Sequence, residues 1–152
     1  MTLKIGDKAP AFSLFSNAGE KVALKDFKGR SVILYFYPRD NTPGCTQQAC
    51  DFRDSHKAVL KKKAVVFGIS KDSVESHEKF KAKFDLPFAL LSDPEGKMCE
   101  AYGVWQEKSL YGRKFMGIVR TTFVVGPNGK IAQIYSKVKV TGHIAQVLAE
   151  LA

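Results

Sequence analysis

The sequence predicts an α/β fold, a mixed central sheet flanked by helices, with a hairpin at the N-terminus. Three observations carry that expectation. Two nearly continuous apolar runs rich in branched and aromatic side chains, "SVILYFY" (31–37) and "AVVFGIS" (64–70), read as buried central strands. Each is followed by a stretch with helical character. Near the end, "RTTFVV" and "KIAQIYS" flank Gly126-Pro127-Asn128-Gly129, a strong hairpin signal. Strands alternating with helices before a terminal hairpin and helix fit a sheet with helices packed on it.

Taken in order, "APAFSLFS" alternates, and Asn17-Ala18-Gly19 separates it from "KVALKDF", which together suggest the first hairpin. After the strand at 31–37, a helix is expected from about Thr42 to Lys61, with small or apolar residues at 49, 52, 59 and 60. After the strand at 64–70, "SVESHEKFKAKF" (73–84) reads as a helix capped by Asp72 or Ser73 and stopped before Pro87. "FALLSD" is a shorter strand and "PEGKMCEAYG" a short helix ending at Gly103. "GHIAQVLAELA" closes the chain as a helix. No internal repeat, low-complexity segment or linker interrupts residues 1–152, which read as one domain.

Composition narrows the function classes. With 152 residues, 45% hydrophobic and 26% charged, the chain can bury a sizeable core as an ordinary globular protein. No apolar run is long enough to span a bilayer, and residues 1–30 carry no secretory h-region, so no membrane association is expected. Three cysteines are too few for a disulfide scaffold and point to a reducing compartment, hence the cytoplasm, where cysteines are more often catalytic or metal-binding. The net charge of +9 comes from lysines at scattered positions, with one short cluster at Lys61–Lys63. No nucleic-acid motif accompanies them, so they read as a solvated surface and nucleic-acid binding is not expected.

One stretch stands apart, "YPRDNTPGCTQQAC" (37–50). The strand ends at Pro38, a loop delivers Thr42 as N-cap, and Pro43 takes the first helical position, where its missing N–H is no loss. Cys45 then falls in the first turn, where unpaired N–H groups and the positive end of the helix dipole stabilise an anion. A free cysteine with a pKa of about 8.5 is only ~3% thiolate at pH 7, whereas a pKa of ~6 would make it roughly 90% thiolate, and the thiolate is the nucleophile. Strand-to-helix turns are also where α/β proteins place their sites. Cys99, among Met98, Ala101 and Tyr102, reads instead as a small buried hydrophobe. A metal site made of Cys45, Cys50 and His56 lacks a fourth ligand, and His56 reads as a surface helix residue.

The segment "YFYPRDNTPGCTQQACDFRD" resembles the active-site signature of the peroxiredoxins, in particular their bacterioferritin comigratory or Q-type branch. Pro38, Thr42 and Cys45 match its pattern, and the likeness continues through "GDKAPAFSL", "LLSDPEGKMCEAYGVW" and "GIVRTTFVVGPNGKI". The resemblance implies a thioredoxin-like fold, no cofactor, a monomer, and a thiol peroxidase for hydrogen peroxide and small organic hydroperoxides. By position, Cys45 is similar to the peroxidatic cysteine that becomes a sulfenic acid. Thr42 resembles the hydroxyl that bonds peroxide and thiolate, Pro38 the ring that shields the site, and Arg120 the arginine that holds the thiolate. Cys50 matches the resolving position, so a Cys45–Cys50 disulfide is implied, recycled by an external dithiol protein, thioredoxin being the expected one. Many members have Glu where this chain has Gln48, which removes a charge from any carboxylate–arginine network.

Arg120 carries its own argument. In "IVRTTFVV" it would either guard a strand edge or point inward, where a buried charge needs a partner such as the Cys45 thiolate. The cysteine spacing carries another. Five helical residues separate Cα atoms by roughly 8–9 Å, beyond the ~7 Å a disulfide tolerates, so a Cys45–Cys50 bond requires the helix to unwind. A disulfide exchanger or client-binding chaperone on the same fold is the competing class, against which the absence of C-x-x-C argues.

Overall fold

A computed structural model describes residues 3–151 of the chain. Its centre is β3 (Ser31–Phe36), every residue of which is buried. Beside it lies β4 (Ala64–Ser70), parallel and in register from Ser31↔Ala64 to Phe36↔Ile69. β1 (Ser13–Ser16), β2 (Lys21–Ala23), β5 (Leu90–Ser92), β8 (Thr121–Val125) and β9 (Ile131–Tyr135) complete a seven-stranded mixed sheet in the order β2-β1-β5-β4-β3-β8-β9.

Alternation along β3 divides the core into two layers. Ile33, Tyr35 and Tyr37 pack with Cys45, Ala49 and Phe52 of α1 (Pro43–Asp54), Val59 of α2 (His56–Lys61), Phe80 of α3 (Val74–Phe84) and Val147 of α5 (His143–Glu150). Val32, Leu34 and Phe36 face the other way, against Met98, Cys99 and Tyr102 around α4 (Lys97–Ala101), with Phe12 and Ile118. α1 is anchored at Phe52, whose ring stacks on Tyr35 at 4.6 Å and 14°. The Tyr35 ring needs Gly68 beneath it, since a Cβ there would stand 2.7 Å from the phenol.

The expected helix from 42 to 61 is two helices. Ser55 (φ −104, ψ 7) leaves helical geometry, although Ser55 N–H still reaches Asp51 O at 3.2 Å. Serine competes for backbone partners and tolerates such breaks. The second strand of the N-terminal hairpin stops at Ala23 and gives way to a 3-10 turn, Leu24–Phe27. An additional hairpin, β6 (Trp105–Leu110) and β7 (Arg113–Ile118), stands outside the main sheet, its turn made by Tyr111 (φ 52) and Gly112 (φ 76). α3 is capped by Ser73, whose hydroxyl accepts from Ser76 N–H at 3.1 Å, and ends at left-handed Asp85 before Pro87. The terminal helix lies where expected, with Ala152 outside the described residues. No helix among the described residues is long and apolar enough to cross a membrane.

The topology sets the place of the site. β3 runs parallel to β4 and antiparallel to β8, with Phe36 opposite Thr121. The residues that follow β3 therefore meet the residues that precede β8 at one end of these two strands. Loop 37–42 and the start of α1 belong to the first group, Arg120 to the second.

Candidate active site

Pro43 opens α1 and Cys45 is its third residue, buried with 2% of its surface exposed. Thr42 occupies the N-cap position with extended geometry (φ −95, ψ 156), yet its side chain does not cap the helix. Its hydroxyl donates instead to the Arg39 carbonyl at 2.9 Å, and its own carbonyl accepts from Thr46 N–H at 2.8 Å. The positive end of α1 is thus left without a side-chain acceptor. The Thr42 oxygen keeps its lone pairs free for a donor arriving from outside.

Of the two orientations the sequence left open for Arg120, the structure shows the inward one. Its Nη2 donates to Cys45 Sγ at 3.3 Å and its Nη1 to Gln48 Oε1 at 2.6 Å. Gly44 leaves room for this approach, because a Cβ at that position would stand 3.2 Å from Arg120 Nη2. Gln48 is buried one turn after Cys45 and still gives the guanidinium an acceptor without a charge. A carboxylate could offer two oxygens to the fork, but the amide offers one, and Gln48 Nε2 is left buried without a partner. Behind Arg120, Thr122 Oγ1 and His143 Nε2 lie 2.8 Å apart. Burial, and then the positive charge of Arg120, push the His143 ring down to about 4, so it is neutral at pH 7.

The structure brings Cys45, Thr42 and Arg120 to that end of β3 and β8, while Pro38 stands exposed on the same loop. Cys50 is partly exposed on the same helix, about 140° around the axis from Cys45 at 100° per residue. All three cysteines are free thiols. The room that Gly44 leaves for Arg120, His143 and the acceptor role of Gln48 escape the sequence reading. Of these, only the glycine beside Cys45 gives a signal in the primary structure.

The Cys99 thiol has the opposite setting. Asp93 accepts from the N–H groups of Met98 (3.3 Å) and Cys99 (2.9 Å). Burial first, then the hydrogen bond to Asp93 and its negative charge, raise the Cys99 thiol well above the usual cysteine range.

Comparison with known proteins agrees with this geometry. A profile of the AhpC/TSA family matches residues 5–134. The chain is 50% identical over 151 residues to the peroxiredoxin Bcp of Bacillus subtilis, covering 99% of this chain and 96% of that protein. The structure of a Xylella fastidiosa PrxQ mutant superimposes with a TM-score of 0.94 at 35% identity, covering 99% of this chain and 96% of that one. The bacterioferritin comigratory protein of Xanthomonas campestris, whose structures concern alkyl peroxide reduction, gives a TM-score of 0.90 at 38% identity, covering 98% and 95%. The match over nearly the whole chain, in sequence and in thioredoxin-like shape, shows that the chain belongs to the AhpC/TSA family as a peroxiredoxin of the Bcp/PrxQ type.

Proposed function

We propose that this single domain is a complete two-cysteine thiol peroxidase acting on hydrogen peroxide and alkyl hydroperoxides. The observation that carries the reading is the 3.3 Å contact from Arg120 Nη2 to Cys45 Sγ at an uncapped helix start. The Cys45 thiolate attacks the terminal oxygen of the hydroperoxide, the O–O bond breaks, and the leaving alkoxide takes up a proton to become an alcohol. Arg120 stabilises charge on sulfur and on the parting oxygens, an effect typically worth a few kcal/mol. Thr42, with its oxygen free to accept, holds the peroxide hydrogen, and Pro38 narrows access by water.

Cys45 is then a sulfenic acid. The Cys50 thiol displaces its hydroxyl as water and forms an intramolecular disulfide, and a dithiol protein such as thioredoxin reduces that bond by exchange. The helical spacing demands that α1 open between these steps. The sulfur chemistry calls for no cofactor. A reducing compartment, the cytoplasm, suits the free thiols, and a monomer suffices because both cysteines lie on one helix.

Stopped-flow measurement of hydrogen peroxide and cumene hydroperoxide consumption, coupled to thioredoxin, thioredoxin reductase and NADPH, tests the reading. Rapid stoichiometric consumption by the reduced protein, with sustained turnover only when thioredoxin is present, is the expected result. Disulfide exchange without peroxide consumption would replace this reading with the exchanger.

A further inference from the structure

Buried Asp40 and His77 and half-buried Asp72 form a polar cluster that the peroxide chemistry above does not use. Their ligand-type atoms lie within 4.8 Å of one another, which by distance alone would suit a cation. The hydrogen bonds say otherwise. Asp40 Oδ1 accepts from Tyr37 OH at 2.5 Å, and Asp40 Oδ2 faces Ser76 OH at 2.8 Å and His77 Nδ1 at 2.7 Å. Asp72 Oδ2 accepts from Asp40 N–H at 2.8 Å and Ser70 OH at 2.6 Å. The carboxylate oxygens nearest one another are already occupied by protein donors.

His77 settles what the cluster is. Its Nε2 faces the Leu91 carbonyl at 2.9 Å, and a carbonyl only accepts, so Nε2 carries a proton. Its Nδ1 faces a carboxylate that already receives two hydroxyls, so one more proton lies between Nδ1 and Oδ2. The pair is a short hydrogen bond, almost fully enclosed, with Tyr37 OH also 3.4 Å from Nδ1. It joins the loop after β3 to α3 and β5, while Asp72 ties the same loop to the end of β4.

The position of this cluster along the chain gives it a consequence. Asp40 lies three residues before Pro43, and Asn41, the residue between cluster and N-cap, is left-handed (φ 59). At the other end of α1, Phe52 is stacked on Tyr35. We infer that Asp40 and His77 are positioning residues, a fixed post that confines the opening of α1 to the segment between Asn41 and Phe52 and holds that segment closed in the reduced protein. The opening itself rests on the proposed Cys45–Cys50 chemistry, but the holding does not.

The variant Asp40→Asn replaces one of the two carboxylate oxygens that hold Tyr37, Ser76 and His77 with an amide NH2, and Ser76→Ala removes one bond from a partly exposed position where folding is at little risk. Hydrogen exchange of the reduced variants, with no peroxide present, should be at least tenfold faster for Asp40→Asn at the amides of residues 43–50, and several-fold faster for Ser76→Ala. Amides of β3 and β4 should keep their protection. In stopped flow, the peroxide step should slow several-fold while disulfide formation after it quickens, a split that general destabilisation would not give. Unchanged exchange at 43–50, equal acceleration throughout the sheet, or slowing of both steps would each overturn the inference. If the wild type consumed no peroxide, the proposed function would fall while the exchange experiment would still decide the role of the post.

Discussion

Two buried cysteines in this molecule occupy the same helical position in opposite surroundings. Cys45 is the third residue of α1 and Cys99 the third of α4, exposed by 2% and 0% respectively. Burial and helix position therefore cannot be what separates them. The occupant of each helix start does. At α4 the Asp93 carboxylate accepts hydrogen bonds from the backbone N–H groups of Met98 and Cys99, and with burial its hydrogen bond and negative charge keep Cys99 a neutral thiol. At α1 no side chain caps the helix, and the nearest charge to the sulfur is the Arg120 guanidinium. The two thiols therefore differ in the sign of the charge beside them, a carboxylate six residues away for Cys99 and a guanidinium 75 residues away for Cys45.

The largest effect should separate the pair outright. Cys45→Ser should abolish peroxide consumption in a folded protein, while Cys99→Ser should leave the second-order rate constant within twofold. A Cys45→Ser protein with substantial thioredoxin-linked activity would break the comparison. Next comes Cys50→Ser, which should still consume one equivalent of peroxide at Cys45, then lose thioredoxin-dependent turnover and over-oxidise more readily. Peptide mass mapping of the oxidised wild type should find Cys45 joined to Cys50, and a dominant Cys45–Cys99 bond would show that the resolving thiol lies elsewhere.

Arg120→Met should slow the peroxide step by more than tenfold at pH 7, in line with the few kcal/mol that a preorganised donor supplies. A rate that barely changes would leave the helix start alone to account for Cys45. The mildest test concerns His143, which shares the Arg120 field. The folded ring resists protonation down to about 4, whereas the unfolded value is 6.5. Its contribution to stability is therefore fully present above pH 6.5 and is lost as pH falls toward 4, amounting to roughly 2 kcal/mol by pH 5. His143→Gln should flatten that part of the stability profile in urea titrations while changing the peroxide rate at pH 7 little.

The buried strands β3 and β4 and the hairpin β8–β9 were legible because a fully apolar run and a Gly-Pro-Asn-Gly turn are local signals. The β6–β7 hairpin was not. Both of its faces are largely open, with Leu110, Phe115 and Met116 exposed, so no apolar–polar alternation marks it, and its turn begins with a tyrosine at positive φ. Cys45 could be singled out from Thr42-Pro43-Gly44, while for Arg120 the charge argument left a strand-edge reading open and the family resemblance carried the inward one. Asp93 could not, since its action on Cys99 depends on where one side chain folds back on the next helix. The same holds for Asp40 and His77, which are brought together across 37 residues by the β3–β4–β5 arrangement.

Gly44 shows what such geometry asks of the chain's freedom to vary. It is an exposed residue in ordinary helical backbone, where alanine normally improves a helix by about 0.5–1 kcal/mol. Here the added methyl would crowd Arg120 Nη2 and displace the guanidinium by a few tenths of an ångström, away from the sulfur it serves. Gly44→Ala should then yield a sturdier but slower protein, so that selection for thermal endurance and selection for speed would pull this one position in opposite directions.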